Sequence, residues 1–338
     1  MEALLDYEKN TMIICRTPLR ISLFGGGTDY SEWFKENGGA VISTTIDKYN
    51  YISCRELPPF FDHKYRVSYS VVEHVNNIEQ IKNRAIRAVL ETFATHLKGL
   101  EINCAADLPS RSGLGSSSSF VVSLLQAIKT LQGVSVDKKW LAENAIHIEQ
   151  SVLNEVVGSQ DQVATAFGGF NKIEFCRNGD FTIDSVKINQ DRKTELNNHL
   201  MLFFTGFSRI ASEIASSQVK NFGKKVKVLN KIYRMVDEAN EILESDCDIR
   251  LIGEMLDRGW SLKSTLSKMV TNSYLDSLYL KGKNAGAIGG KVLGAGGGGF
   301  MLLFVEPEKQ DLVRNALSDL IYVPFKFEDS GSQIISIN

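Results

Sequence analysis

The sequence predicts an α+β protein. Its 338 residues correspond to roughly two domains of about 150 residues each. Strand-like and helix-like segments are mixed without the regular alternation that is typical of a doubly wound parallel sheet. Glycine, with 27 residues, gathers in a few short clusters between these segments. We place the boundary between the domains in a polar stretch after residue 176, which divides the chain into residues 1–190 and 191–338.

The first half is expected to contain β-branched or apolar strands and helices with apolar residues at helical spacing, in no regular alternation. Asp137 is of a residue type that caps helix N-termini, so a helix is predicted to start there. In chain order, we expect a frayed arm (1–11), strands (13–24, interrupted by Pro18, and 41–55), a helix (76–97), a strand (100–105), a Gly/Ser loop (107–119), two helices (120–131 and 137–157) and a strand (170–175).

The second half is expected to be mainly helical around a short sheet. The polar segment 176–198 is predicted to consist of turns. After it, we expect a strand (200–205), helices (about 208–221, 224–245, 249–270 and 272–281), a tight glycine loop (294–299), a strand (300–305) and a final helix with strands.

Composition and charge exclude several classes of protein. The 38 basic and 40 acidic side chains leave a net charge of -2, which excludes a generally basic nucleic-acid binder and an acidic disordered chain. No apolar run reaches the length of about 18 residues that a membrane helix requires. We therefore expect neither nucleic acid nor a membrane as partner.

The five cysteines indicate a reducing compartment. Their number is odd, their spacing is wide and no C-x-x-C is present, which argues against a disulfide framework or a zinc ribbon. The first ten residues carry acids and lack the apolar core of a signal peptide. We expect a cytoplasmic protein.

The most informative segment is the Gly/Ser-rich loop from Pro109 to Ser119, between a predicted strand and an apolar helix. Glycines let the backbone approach a ligand closely, and a helix start offers unpaired N–H groups and a positive dipole end. Serines add hydroxyl groups. The segment is therefore suited to nucleotide phosphates, although a flexible turn with a serine cap also fits the composition.

Two carboxylates follow this loop. Glu149 lies within the predicted helix 137–157, and Asp161 comes twelve residues later in the turn Gly158-Ser159-Gln160-Asp161. One of them could hold Mg²⁺ while the other acts as a base. Taken alone, each could equally be a surface acid.

Two further glycine clusters flank this region. Near the N-terminus, Arg20 precedes the run Gly25-Gly26-Gly27-Thr28-Asp29, where an arginine could face a phosphoryl group and an aspartate could accept sugar hydroxyls; a strand arginine and a glycine turn also fit. The run Gly294 to Gly299 formally matches G-x-G-x-x-G, but a strand follows it where a dinucleotide site needs a helix. No G-x-x-x-x-G-K-[ST] is present, which excludes a P-loop.

In this order, the segments resemble the GHMP kinase superfamily, which includes galactokinase, homoserine kinase and mevalonate kinase. The resemblance covers about residues 12–305. It implies a two-domain α+β fold with the active site in the cleft between the domains, and ATP with Mg²⁺ as the phosphoryl donor. It is carried by the proline-arginine strand leading to Thr28-Asp29-Tyr30, by Pro109…Gly113-Leu114-Gly115-Ser116-Ser117, by Lys291…Gly294-Ala295-Gly296…Gly299, and by the Gly158–Asp161 turn.

The resemblance also implies roles for individual residues. Asp161 matches the base that activates the acceptor hydroxyl, and Arg20 matches the arginine that stabilises the transferring phosphoryl group. Ser117 and Glu149 match the Mg²⁺ ligands. The residues expected to hold ATP are Pro109, Ser112, Gly113, Leu114, Gly115, Ser116, Ser117 and Ser118. The residues expected to contact the substrate are Gly26, Gly27, Thr28, Asp29, Gly296, Gly297 and Arg209.

Within the superfamily, the chain looks most like the D-glycero-D-manno-heptose 7-phosphate kinases. Galactokinases carry Glu-His before Thr-Asp, whereas this chain has Gly26-Gly27. The stretches from Arg16 to Asp29 and from Thr205 to Arg209 carry this closer resemblance. It implies phosphorylation of the anomeric hydroxyl to give heptose 1,7-bisphosphate on the route to GDP-heptose.

Several alternatives stay open at this point. Another anomeric sugar kinase, fucokinase-like or galactokinase-like, would share these motifs, and so would a non-catalytic sugar and nucleotide sensor on the same fold. A 7-phosphate needs its own anion pocket, for which Arg209, and less strongly Arg111 and Lys172, are candidates. The sequence leaves a homo-oligomer open.

Overall fold

The fold is taken from a computed structural model, which describes residues 11–206 and 211–337. Its strands and helices are intermixed along the chain, as the sequence predicts. The strands are β1 (Ile13–Phe24), β2 (Gly39–Glu56), β3 (Tyr65–Ser68), β4 (Val72–Val75), β5 (Leu100–Ala106), β6 (Phe170–Phe175), β7 (Phe181–Ser185), β8 (Leu200–Phe204), β9 (Ala287–Val292), β10 (Phe300–Val305), β11 (Ile321–Tyr322), β12 (Phe327–Glu328) and β13 (Gln333–Ile337).

The helices lie between these strands and include one irregular turn. The segment His147–Val152 is a π-helical turn that continues the fourth helix. The α-helices are α1 (Ser31–Asn37), α2 (Arg84–Phe93), α3 (Ser116–Leu131), α4 (Lys138–Ile146), α5 (Gln160–Phe167), α6 (Gln190–His199), α7 (Ala211–Val219), α8 (Val226–Glu244), α9 (Arg250–Lys263), α10 (Ser273–Asn284) and α11 (Gln310–Ala316).

The larger sheet has nine strands and includes both ends of the described chain. Its main path is β13-β1-β2-β5-β3-β4, and β12 and β6 also pair with the long strand β2. All of its pairs are antiparallel except β3 with β5. Strands β12 and β13 belong to the predicted second domain, yet they pair with β2 and β1 of the first half. The division of the chain at residue 190 stays a prediction.

The smaller sheet belongs to the second half and has the order β11-β8-β10-β9. Helix α9 packs against β9 and β10, and α8 packs against α9. Apolar side chains from both sheets meet in one core cluster, which contains Ile21 of β1, Leu114 and Phe300. The glycine loops therefore lie where the two sheets are packed together.

Strands β9 and β10 form an antiparallel pair around the loop 294–299. The strand predicted after the loop is confirmed, because β10 and not a helix follows it. The strand before it was not predicted.

Several predicted helices have different bounds, among them α9, which ends at Lys263 and not at residue 270. Helix α2 begins at Arg84, not at residue 76, because a 3₁₀ turn (Ile78–Gln80) comes first and Asn83 caps the helix by accepting from the Ile86 N–H at 3.1 Å. Helix α3 begins at Ser116, four residues early. The helix capped by Asp137 is confirmed, but it ends at Val152.

The segment 176–198 was predicted as turns, and that prediction is wrong for more than half of it. It contains β7, which pairs with β6, and α6, whose cap Asn189 accepts from the Arg192 N–H at 2.8 Å. Polar composition obscured both elements because they are largely exposed.

In the described ranges, no helix combines the length and apolar character needed to span a bilayer.

Candidate active site

A cavity of about 590 Å³ brings most of the predicted site residues together. Its wall includes residues from both halves of the chain, from β1 and the Gly/Ser loop on one side and from α7, α9 and the 294–295 turn on the other. The predicted residues on this wall are Arg20, Gly26, Gly27, Asp29, Ser112, Gly113, Gly115, Ser116, Ser117, Ser118, Glu149 and Asp161.

The pair formed by Arg20 and Asp161 lies at the centre of this wall. Arg20 Nε donates to Asp161 Oδ1 at 2.8 Å and Nη2 donates to Oδ2 at 2.7 Å, which is the bidentate geometry that makes arginine–carboxylate pairs strong. The Arg20 side chain is only 3% exposed, whereas that of Asp161 is 26% exposed. Arg20 therefore holds the aspartate from behind while the carboxylate stays accessible from the cavity.

Arg20 also ties this pair to the Gly/Ser loop. Its Nη1 donates to the Gly113 carbonyl at 2.7 Å, and its backbone N–H donates to the Leu114 carbonyl at 2.9 Å. Gly115 has a φ of +72°, and a Cβ there would lie 3.0 Å from Arg20 Cγ and 3.5 Å from Asp161 Cγ. The left-handed backbone and the tight contact with Arg20 both favour glycine where the loop passes the Arg20–Asp161 pair.

The first turn of α3 presents backbone N–H groups to the cavity. Ser116, Ser117 and Ser118 form this turn and line the wall. The buried side chain of Asn50 donates to the Ser116 carbonyl at 2.8 Å and fixes the start of the helix. Unpaired N–H groups and the positive end of the helix dipole make this turn a site for anions such as phosphates.

Two residues of the predicted ATP loop lie behind the wall. Leu114 is fully buried in the core, and Pro109 does not line the cavity. Ser112 does line it, and its buried Oγ has no hydrogen-bond partner among the described residues. Ser112 thus offers a free hydroxyl to a ligand, while Leu114 anchors the loop.

Glu149 is a buried carboxylate on the π-helical turn and is 1% exposed. Its Oε2 accepts from the Ser118 hydroxyl at 2.7 Å and from the side-chain amide of Gln162. Its Oε1 has no partner among the described residues. Burial raises the pKa of Glu149 to about 7, although the two hydrogen bonds oppose this shift.

This arrangement fits a divalent cation. A hard cation takes oxygen ligands, and Mg²⁺ in kinases is bound through one or two carboxylates together with phosphates and water. The unpartnered Oε1 of Glu149 is such an oxygen. The serine that contacts Glu149 is Ser118, whereas Ser117, the predicted ligand, is exposed on the wall. In the described parts of the chain, no group of three or more His, Cys, Asp or Glu could hold a metal alone.

Asp29 lies at the other end of the cavity and is 2% exposed. Its Oδ1 accepts from the Gly27 N–H at 2.9 Å, and its Oδ2 accepts from Gln160 Nε2 at 3.1 Å. Burial raises the pKa of Asp29 above its usual range, and the nearby Asp161 carboxylate adds to this effect. These bonds connect the first glycine run to the turn that carries Asp161.

Thr28 was predicted to contact the substrate, but it does not line the cavity. Its hydroxyl lies 2.9 Å from the carbonyl oxygens of both Gly25 and Ala40, between which its single hydrogen is shared, and the side chain is fully buried. These bonds join the glycine run to β2, so the structure supports a role for Thr28 in shaping the loop.

The third glycine run is displaced in the same way. Gly296 and Gly297 are not on the wall; the Gly297 N–H donates to the Val270 carbonyl at 2.8 Å. Gly294 and Ala295 line the cavity in their place. Arg209, the remaining predicted substrate contact, lies outside the described residues.

The other two candidates for a distal phosphate pocket separate. Lys172 does not line the cavity and forms ion pairs with Glu174 at 2.7 Å and Asp237 at 2.8 Å. Arg111 lines the cavity, and its φ of +58° is unusual for a residue other than glycine. Of these two, only Arg111 stays available to a ligand in this cavity.

Sequence reasoning missed three wall or support residues. Lys263, at the end of α9, and Gln160 line the cavity, and Gln162 supports Glu149 from a fully buried position. Both glutamines flank Asp161, so their place in that turn was a usable signal. Lys263 belongs to no motif, and nothing in its local sequence marks it.

Both halves of the chain match models of one protein family. Residues 80–169 match the GHMP kinases N terminal domain, and residues 235–322 match the GHMP kinases C terminal domain. The chain is 30% identical over 332 residues to D-glycero-alpha-D-manno-heptose 7-phosphate kinase of Campylobacter jejuni, covering 94% of this chain and 96% of that protein. It is 24% identical over 343 residues to a galactokinase of Pyrococcus furiosus, covering 90% and 92%.

A solved structure shares the fold. The crystal structure of a D-glycero-D-manno-heptose 1-phosphate kinase from Bacteroides thetaiotaomicron matches with a TM-score of 0.79 at 24% identity, covering 96% of this chain and 99% of that one. Two domain matches in the expected order, together with a relative at 30% identity over nearly its whole length, show that this chain belongs to the GHMP kinase family.

Proposed function

We propose that this chain transfers a phosphoryl group from ATP to the anomeric hydroxyl of D-glycero-D-manno-heptose 7-phosphate. The observation that carries the proposal is one cavity in which the Asp161 carboxylate, held by Arg20, lies beside the phosphate-binding turn of α3. The acceptor is inferred from the 30% identity to the heptose 7-phosphate kinase of Campylobacter jejuni.

The proposed chemistry follows from the positions of these groups. Asp161 takes the proton of the acceptor hydroxyl as its oxygen bonds to the γ-phosphorus and the bond to ADP breaks. Arg20 orients the base and contributes positive charge beside it. An anomeric hydroxyl is more acidic than an ordinary alcohol, so a single carboxylate base is adequate.

The nucleotide end would hold the phosphates by the N–H groups of residues 113–118, with Ser112 as an additional hydroxyl donor. Mg²⁺, when bound, would neutralise charge on the phosphates. Glu149 would hold it through Oε1, with the Ser118 hydroxyl beside it and Ser117 at the mouth of the turn.

The acceptor end would receive the sugar at Gly26, Gly27 and Asp29. The two glycines remove the side chains that galactokinases carry before Thr-Asp, which leaves space for a larger heptose. The product would be heptose 1,7-bisphosphate, an intermediate on the route to GDP-heptose for surface polysaccharide. The reaction would take place in the cytoplasm. The division of the chain at residue 190 is a further part of this proposal.

The test is ADP release with ATP, Mg²⁺ and a panel of acceptors: D-glycero-D-manno-heptose 7-phosphate, heptose 1-phosphate, the free heptose, fucose, galactose and mevalonate. We expect turnover with the 7-phosphate and none with heptose 1-phosphate, whose anomeric oxygen is blocked. Turnover with free fucose or galactose alone would replace the acceptor but keep the kinase. Absence of turnover with every acceptor, together with retained ATP and sugar binding, would favour a non-catalytic sensor.

A further inference from the structure

The end of helix α9 places a lysine in the wall of the cavity. Lys263 is 7% exposed, and its Nζ donates to the Gly294 carbonyl at 2.5 Å. It therefore contacts the third glycine run from a helix of the second half, at a point where no predicted motif supplies a side chain.

The charge of Lys263 is poorly compensated by the protein. Among the described residues, it forms no ion pair within 4.0 Å, and its one hydrogen-bond partner is a carbonyl, although an ammonium carries further donors. Burial lowers the pKa of Lys263 to about 8, and the nearby carboxylate of Asp29 only partly offsets this. A lysine kept in such a place costs stability, which is typical of a group that awaits a ligand.

A second buried lysine shows the contrast. Lys291 on β9 donates to the carbonyls of Ser22 at 2.8 Å and Leu23 at 2.9 Å, and it does not line the cavity. Its Nζ bonds to backbone at two points, which is what an anchoring role requires. Lys263 has one such bond and faces the cavity.

The neighbours of Lys263 locate it at the acceptor end. A Cβ added to Gly26 would lie 3.7 Å from Lys263 Nζ and 3.9 Å from Gln160 Nε2. Gln160 in turn donates to Asp29. The absence of a side chain at Gly26 therefore leaves open the space between the lysine, the glutamine and the aspartate.

We propose that the Lys263 ammonium binds the acceptor directly, donating a hydrogen bond to one sugar oxygen while Asp29 accepts from a neighbouring hydroxyl. This inference rests on the proposed sugar kinase function and adds a specificity residue to it. A cation and a carboxylate side by side distinguish a pair of hydroxyls from an acceptor that lacks one of them, because the missing hydroxyl leaves a buried charge without a partner.

The oxygen that Lys263 binds is more consistent with a hydroxyl than with the distal phosphate. The carboxylates of Asp29 and Asp161 raise the pKa of Lys263, whereas the Arg20 guanidinium, which is paired with Asp161, lowers it. A phosphate dianion placed beside Asp29 would be repelled by it, whereas a neutral hydroxyl would not. The two sources can be separated by comparing phosphorylated and free acceptors.

The test compares Lys263→Met with the matched variant Lys291→Met. With the acceptor that the wild-type enzyme uses best, we expect K263M to raise the acceptor KM about tenfold or more, which is the effect of losing a charge-assisted hydrogen bond. The KM for ATP should stay within about twofold. K291M should change the KM values for acceptor and ATP in parallel, whatever it does to stability. Lys263→Gln serves if K263M does not fold.

A panel of monodeoxy acceptors identifies the hydroxyl of the acceptor that Lys263 binds. In the wild type, removing the hydroxyl that Lys263 binds should cost about tenfold in kcat/KM, and the same change should cost little in K263M, as the coupling of two contacting groups requires. Equal losses in both enzymes for every deoxy acceptor would overturn the proposal. A K263M defect confined to phosphorylated acceptors would also overturn it, in favour of the phosphate. If the wild type turns over no sugar, the proposed function itself fails.

Discussion

The two carboxylates that the sequence singles out have opposite surroundings in the cavity. Both oxygens of Asp161 are matched by Arg20, in a pair held by two short hydrogen bonds. Glu149 has two donors on one oxygen and none on the other, and it is more deeply buried. The protein supplies hydrogen-bond partners to both oxygens of Asp161, whereas one oxygen of Glu149 has none among the described residues.

This difference indicates how the work is divided between the two ends of the site. The charge of Asp161 is compensated before any ligand arrives, so the base and its orienting group are preorganised. The charge of Glu149 has no compensating cation among its contacts, so we expect a ligand to supply it. At the acceptor end, Lys263 is the inverse case, a buried cation that forms no ion pair within 4.0 Å among the described residues.

The strongest way to break the comparison is Asp161→Asn, which keeps the shape of the side chain and removes the base. We expect kcat to fall by about 10²–10⁴-fold, the usual contribution of general base catalysis. The KM for ATP should change little, because the α3 turn is intact. Steady-state ADP release measures both quantities. Normal turnover would show that Asp161 only positions Arg20.

Lys263 provides the second test, through stability. Its pKa of about 8 lies below the usual 10.5, so between these pH values the unfolded chain binds a proton that the folded chain does not, and stability rises with pH. Below pH 8 the lysine is protonated in both the folded and the unfolded chain, so the full cost of burying its charge lowers the stability of the fold. Lys263→Met should therefore stabilise the fold at pH 7 by up to roughly 3 kcal/mol.

Urea unfolding of wild type and K263M at pH 7 and pH 9.5 measures this effect. We expect the difference in unfolding free energy between K263M and the wild type to shrink by more than about half at pH 9.5, because the folded wild type then carries an uncharged Lys263. If K263M is less stable than the wild type at pH 7, the hydrogen bond to Gly294 outweighs the buried charge and Lys263 is an anchor.

Glu149→Gln tests the nucleotide end. Losing the carboxylate should raise the Mg²⁺ concentration for half-maximal rate by about tenfold or more, because even a supporting residue of a metal site is commonly worth that much. Mn²⁺ binding in the presence of ADP, followed by electron paramagnetic resonance, gives a readout that does not depend on turnover. An unchanged metal titration would contradict the proposed role.

The sequence predicted the motifs well because their chemistry is local. The strand β1, the α3 turn and the Asp161 segment are each marked by residues that act where they stand in the chain. It did not predict which side of each loop faces the ligand. Thr28 and Gly296 belong to motifs, yet both lie off the wall, since tertiary packing against Ala40 and Val270 decides their orientation.

Lys263 shows the other limit. A lysine at the end of an amphipathic helix is usually solvent-exposed, and only the packing of α9 against the glycine loops buries this one. The helix predicted from residue 76 has a similar cause. The apolar spacing continues through the 3₁₀ turn, and only the Asn83 cap marks where the helix starts.

The smallest expected effect distinguishes two neighbouring serines. The sequence pointed to Ser117 as the metal ligand, whereas Ser118 is the one whose hydroxyl contacts Glu149. Ser118→Ala removes a hydrogen bond to a charged group, which is worth about 1.5–3 kcal/mol, and it leaves Glu149 oriented by Gln162 alone. We expect it to raise the Mg²⁺ requirement by about three- to tenfold, with part of the hydrogen-bond energy appearing as lost stability.

Ser117→Ala is the matched control, one residue away on the same turn but exposed. If Glu149 and its orientation determine metal binding, S117A should shift the Mg²⁺ titration less than S118A does. The reverse order would mean that Ser117 binds the cation directly and that Ser118 is a structural support for the carboxylate. In that case Glu149 Oε1 and the Ser117 hydroxyl would together form the metal site, as the family resemblance implies.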